Sequence, residues 1–113
     1  MEIITTTIEL NQLKNMAVNS FGNLVKAVVD VERELVAVDA ELHSDLEALL
    51  LDNGSKQKDL WGINLYPEMT GEDFIEFDSV INMRPSQGNR SRGVDNEELR
   101  KKIISVVEKR IKG

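Results

Sequence analysis

Glu76 and Asp78 stand two residues apart in an alternating stretch. On a β-strand that spacing puts both carboxylates on one face, about 7 Å apart at Cα. Such a pair can hold Mg2+ or Ca2+, which take oxygen ligands, or divide into an acid and a base where burial separates the two pKa values. His43, the sole histidine, precedes Ser44-Asp45-Leu46-Glu47, a capping-box spacing that opens a helix. A helix N-terminus disfavours the imidazolium, which suits a neutral base. The catalytic candidates are therefore His43, Glu76 and Asp78, with Glu76 and Asp78 also the metal candidates. Together they suit metal-assisted or acid/base hydrolysis of a phosphate- or amide-containing substrate. Acidic pairs are equally common on solvated strands, so the residues leave open whether the protein is an enzyme. With one histidine and no cysteine a transition-metal site is poorly supplied, and no cofactor motif is evident.

A second constellation follows the first. Twenty acidic residues face 14 basic ones, a net charge of −6, yet no acidic residue occurs between Asp78 and Asp95. Arg84, Arg90 and Arg92 sit in that window among Ser86, Gln87, Asn89 and Ser91. Arginine grips phosphate or carboxylate bidentately, and glycine and amide neighbours add backbone and side-chain donors. The loop lacks the glycine spacing and lysine of a phosphate-binding loop. Asp95, Glu97 and Glu98 fill the start of the following helix with negative charge, so an anion must rely on the loop itself. Asn64 and Tyr66 from one strand, with Asn82 and Arg84 from the next, extend the same polar face. The ligand-binding candidates are Asn64, Tyr66, Asn82, Arg84, Gln87, Asn89, Arg90 and Arg92. They describe a binding module for an anionic small molecule or an acidic segment of a protein partner. A purely protein-interaction or regulatory role is the further alternative. In the plainer account the arginines only pair with local carboxylates.

Strands and helices must position these groups. Thr6 and Glu9 have capping-box spacing before a helix over residues 8–20, which ends at Gly22, a residue suited to a left-handed cap. Residues 24–31 alternate, with Val25, Ala27, Val29 and Val31 on one face and Lys26, Val28 and Asp30 on the other. They form a hairpin with residues 35–40. A helix from Ser44 carries Leu46, Leu49 and Leu50 and stops at Asn53-Gly54. Residues 60–66 and 74–83 form a second hairpin. In its later strand Ile75, Phe77, Ser79, Ile81 and Met83 face the core, while Glu76, Asp78, Val80, Asn82 and Arg84 face away. Asp95 and Glu98 cap a last helix striped by Leu99, Ile103, Val106, Val107 and Ile111. Ile3 and Ile4 can add a short edge strand.

The expected fold is α+β: a four-stranded antiparallel sheet with three helices, in the order α-β-β-α-β-β-α, the helices mainly on one face. A chain of 113 residues reads as a single domain over 1–113. Absence of cysteine excludes disulfides and thiolate catalysis and fits a cytoplasmic protein. The N-terminus lacks the pattern of a secretory signal, and no apolar run is long enough for a membrane. Net negative charge opposes bulk nucleic-acid binding. One modest core is compatible with a homodimer through a sheet edge or the polar face.

Several strings resemble a known family: Glu41-Leu42-His43, Gly54-Ser55-Lys56-Gln57, Asp59-Leu60-Trp61-Gly62-Ile63-Asn64-Leu65-Tyr66-Pro67, Ile75-Glu76-Phe77-Asp78-Ser79, and Ile81-Asn82-Met83-Arg84-Pro85-Ser86-Gln87-Gly88-Asn89-Arg90-Ser91-Arg92. The resemblance is to small prokaryotic proteins grouped as a domain of unknown function and covers nearly the whole chain. It implies a free-standing cytoplasmic protein and brings no activity, cofactor or catalytic residue.

Overall fold

Strand β3 (Val25–Asp30) is buried along most of its length, and its β-branched valines suit the centre of a sheet. In the computed structural model, which describes residues 1–113, β3 pairs antiparallel with β4 (Leu35–Val38) on one side and β5 (Leu60–Leu65) on the other. β1 (Glu2–Ile4) adds beyond β4 and β6 (Ile75–Glu76) beyond β5, giving the order β1-β4-β3-β5-β6. A separate parallel pair joins β2 (Ile8–Glu9) to β7 (Ile111–Lys112).

The register sorts the side chains into two layers. Val29 lies opposite Val36 and Trp61, and Ala27 opposite Val38 and Ile63. This face packs on helix α1 (Leu10–Val18) through Leu13 and Ala17, and on α3 (Glu97–Arg110) through Ile103, Val106 and Val107. On the other face Val28, Leu35, Ala37 and Leu60 pack on α2 (His43–Asp52) through Leu46 and Leu50. The architecture is thus α+β with three helices, but the sheet has five strands rather than four, and helices cover both faces. Leu46 and Leu50 need an apolar surface, and Val28, Ala37 and Leu60 offer one on the face expected to be polar. The end of that face near Lys26 and Asn64 remains polar. The expected element order also changes, because the Ile3-Ile4 edge strand joins the main sheet ahead of α1.

The β3–β4 turn lacks Asn-Gly and is built around buried Asp30 instead. Its Oδ1 accepts from the Glu32 and Arg33 amides at 3.0 and 2.9 Å, and its Oδ2 accepts from Ser55 Oγ at 2.6 Å. Arg33 in turn donates to Ser55 Oγ and Asn53 Oδ1, tying the turn to the end of α2. Gly22 and Gly54 take φ of 93° and 101°, the left-handed conformation expected after α1 and α2.

The helix starts differ from expectation by a residue or more. Glu9, not Thr6, caps α1, in a reciprocal pair with Gln12. Leu42 precedes α2, so the Ser44–Glu47 box is not formed. Asn96 Oδ1 caps α3 by accepting from the Leu99 amide at 2.9 Å. Asp95 turns back into the preceding loop.

The expected strand over residues 74–83 is the largest departure. Only Ile75 and Glu76 pair with β5, after which Val80–Asn82 forms a 3₁₀ turn capped by Ser79 Oγ. Ser and Asn side chains compete for backbone groups that a continuing strand would have used. Alternation therefore fails beyond Asp78, and Asn82 lies fully buried rather than in an exposed polar row.

Candidate functional site

Where β6 stops, the edge of β5 still needs partners. The Asn82 amide supplies them: Oδ1 accepts from the Gly62 amide at 2.8 Å, and Nδ2 donates to Gly62 O at 2.9 Å. The same Nδ2 reaches Arg92 O at 3.0 Å. Asn89 then organises the loop. Its Nδ2 donates to the carbonyls of Asn82, Ser91 and Gly93, and its Oδ1 accepts from the Asp95 amide. Asp95 accepts from Ser91 Oγ and the Arg90 amide, and these bonds hold its carboxyl below the usual carboxylate range.

Arg84 is likewise turned inward. Nε donates to Ile81 O at 2.9 Å, Nη1 to Gln57 O at 2.7 Å, and Nη2 to Leu60 O. Nη1 also reaches Gln87 Oε1, and the guanidinium stacks 4.4 Å from the centre of the Trp61 ring. Burial lowers its pKa, opposed only by the field of Glu47, but a guanidinium so placed stays charged. Gln87 Nε2 donates to Lys58 O. Four of the candidates, Asn82, Arg84, Gln87 and Asn89, are thus committed to the scaffold. Arg84 meets no carboxylate; among the loop arginines it is Arg92 that pairs with one, Asp78.

A different set converges at the end of the second sheet face that α2 leaves open. Lys26 lies opposite Asn64, and Asn64 opposite Glu76. Glu76 Oε1 accepts from Asn64 Nδ2 at 2.9 Å and from the Tyr66 hydroxyl at 3.0 Å. Desolvation first, then that bond to Glu76, raises the Tyr66 pKa. Asp78 accepts from Arg92 Nε at 2.6 Å in a half-exposed ion pair. Asn64 is 8% exposed, and its Oδ1 is buried without a hydrogen-bond partner.

His43, the first residue of α2, reaches down to this cluster. Its ring is buried, and Nε2 lies 2.8 Å from Ile63 O. A carbonyl only accepts, so Nε2 carries the proton and Nδ1 presents a lone pair. Burial lowers the His43 pKa, the bond to Ile63 opposes that shift, Lys26 and Arg92 reinforce it, and Asp78 opposes it. The folded protein therefore binds this proton more weakly than the unfolded chain. Its contribution to stability is present above the ordinary histidine pKa of about 6.5 and is lost as pH falls below it. Denaturant titrations between pH 8 and 5.5 are expected to show stability falling on the acid side, with a flatter profile in His43→Gln. An unchanged profile in that variant would remove His43 as the cause.

The structure thus brings together His43, Asn64, Tyr66, Glu76, Asp78 and Arg92, with Lys26 beside them. Arg90 is exposed and makes no side-chain hydrogen bond to this cluster. No group of three or more His, Cys, Asp or Glu side chains is placed to share a metal ion. Sequence reasoning missed Glu47, whose Oε2 is buried without a partner; its position one turn after His43 on the sheet-facing side of α2 was the available signal. A cavity of about 920 Å³ lies elsewhere, between α3 and residues 69–77, and holds none of the candidates. A smaller one of about 530 Å³ lies between Trp61 and the loop at Gln87–Asn89. No helix is long and apolar enough to cross a membrane.

Fold and cluster together define an α+β protein whose antiparallel sheet is covered on both faces and whose polar end joins Asn64 and Tyr66 to Glu76 and Arg92 to Asp78. The chain belongs to the family described as "Protein of unknown function (DUF5674)", whose profile matches residues 2–110. No curated protein and no solved structure matches it.

Proposed function

We propose that the protein is a small cytoplasmic binding module whose open polar face takes a compact anionic ligand, either a small molecule or an acidic segment of a partner. The observation that carries this reading is the pairing of unused acceptors with accessible cations. Asn64 Oδ1 lacks a donor, and His43 Nδ1 holds a free lone pair. Lys26 and Arg92 stand on the same face, and Arg92 can exchange Asp78 for a ligand because the pair is half exposed. A buried acceptor without a partner costs roughly 1–3 kcal/mol, which a ligand N–H or O–H would recover. The ligand that fits bears an anionic oxygen for the cations and a donor for the amide and imidazole. Arg84, Asn82 and Asn89 serve this site by fixing the loop that presents Arg92.

Thermal-shift measurements with a panel of phosphate- and carboxylate-bearing metabolites test the reading. A ligand at a hundredfold excess over its Kd stabilises by about 2.7 kcal/mol, and this gain should vanish in Arg92→Ala and fall in Asn64→Ala. A panel with no response, or a response indifferent to both substitutions, would refute it.

The lone pair on His43 Nδ1 also supports a second reading, hydrolysis of a phosphate- or amide-containing substrate with His43 as base and Glu76 or Asp78 assisting, with or without a metal. Turnover in a hydrolase panel that is lost in His43→Ala would favour this over simple binding.

A further inference from the structure

The cavity of about 920 Å³ on the first sheet face has an apolar floor of Phe74, Ile75, Phe77, Ile104, Val107 and Ile111. Most of these side chains are half-buried, and Met69 at the rim is 52% exposed. On α3, Leu99, Ile103, Val106 and Val107 face the core, while half-buried Ile104, and Ile111 just past the end of the helix, border the open groove. A solvated surface needs no such apolar groups, so half-buried Phe74, Ile75, Phe77 and Ile104 point to something that covers the groove.

The charges around the groove indicate what. Glu72, Glu97 and Glu108 alternate with Arg100 and Lys101, so neither an anion nor a cation is selected as such. Arg100, Ile104 and Glu108 lie four residues apart on one ridge of α3, with the apolar residue in the middle. A two-fold axis through Ile104 brings two copies of this ridge together antiparallel. Arg100 Nη1 donates to Val94 O of its own chain, its other guanidinium nitrogens then meet Glu108 of the other copy, and the two Ile104 side chains meet at the centre. Ridges of this spacing pack with helices crossing at about −50°. The charges of this ridge thus complement themselves about a two-fold axis, as an isologous interface requires.

We propose that the groove between α3 and residues 69–77 is the interface of a homodimer, with α3 packed on α3 about Ile104. The polar cluster at His43 and Arg92 lies on the other sheet face and stays open in that dimer. Sedimentation equilibrium of the full chain tests this directly. Twice the chain mass of 12.7 kDa is expected, dissociating on dilution. Glu108→Arg sets like charges together twice and should weaken association by at least about tenfold, equivalent to ~1.4 kcal/mol. Glu108 is exposed, so this variant should melt as the parent monomer does. The double variant Arg100→Glu/Glu108→Arg should restore the dimer. A chain that is monomeric at ~100 μM, a dimer indifferent to Glu108→Arg, or a monomer whose groove instead takes up an apolar dye would each overturn the proposal.

Discussion

Replacing Gly62 by alanine is expected to cost about 3 kcal/mol, at the upper end for overpacking in a closed site. The β5 backbone at this point is crossed closely by the turn after β6. A methyl group at Gly62 would lie 2.6 Å from Ser79 Cβ, 2.7 Å from Ser79 Oγ and 3.1 Å from Ile81 Cγ1. None of these atoms is a free side-chain end, since Ser79 is buried and bonded by its amide to Arg92 O at 2.9 Å. The turn must move away from β5, and the Asn82 bonds to Gly62 move with it. In a domain of this size such a loss lowers Tm by more than about 10 °C. Thermal unfolding followed by circular dichroism measures it. Adding Ser79→Gly to the alanine variant removes the nearest obstruction and should recover part of the loss. A Gly62→Ala protein that melts like the parent would show that the two segments are not in contact.

Asn82→Asp is expected to be of similar severity although it exchanges a single NH2 for an oxygen. Asn82 Nδ2 donates to two carbonyls, Gly62 O and Arg92 O, at a position with no solvent exposure. A carboxylate there would face both oxygens with no proton to offer, leaving two acceptors unpaired and a charge buried. At 1–3 kcal/mol for each unsatisfied group, the expected loss is about 3 kcal/mol or more. Because the harm comes from the ionised form, the deficit relative to the parent should shrink as pH is lowered toward 4, where the carboxyl can donate one bond. Denaturant unfolding at pH 7 and pH 4 provides the comparison. A variant as stable as the parent at pH 7 would mean that the Asn82 bonds carry little of the junction.

Both sites lie where the residues read alone were least informative. In β3 the period of two separated Val25, Ala27 and Val29 from Lys26, Val28 and Asp30, and the observed layers agree, because an extended backbone makes alternation a geometric fact. Residues 74–83 show the same alternation but leave the sheet after Glu76. Nothing in hydrophobicity records that Ser79 and Asn82 would spend their side chains on backbone groups. The side of the sheet that α2 covers was hidden for a related reason. Leu46 and Leu50 fit any apolar surface, and only the joint reading of Val28, Ala37 and Leu60 from three strands reveals one.

The candidate site divided along similar lines. Asn64, Tyr66 and Glu76 were legible as neighbours because two paired strands place them there. Arg84 resembled an anion clamp by composition, yet its partners Gln57 and Leu60 lie 27 and 24 residues away. A guanidinium that meets carbonyls from a distant turn cannot be told from one awaiting phosphate without the fold.

The small parallel pair of β2 and β7 bears on how the molecule is made. Ile8 aligns with Ile111, and Arg110 donates to Thr6 O and Glu34 O, the first bond spanning 104 positions along the chain. The β3–β4 hairpin can form from neighbouring residues, but this clasp closes a loop of 104 positions. Its entropic cost is met only when the sheet already holds the ends close. The β2–β7 pair can therefore form only once the last turn of α3 has packed on the sheet, and residues 111–112 act as a latch on elements that are already assembled.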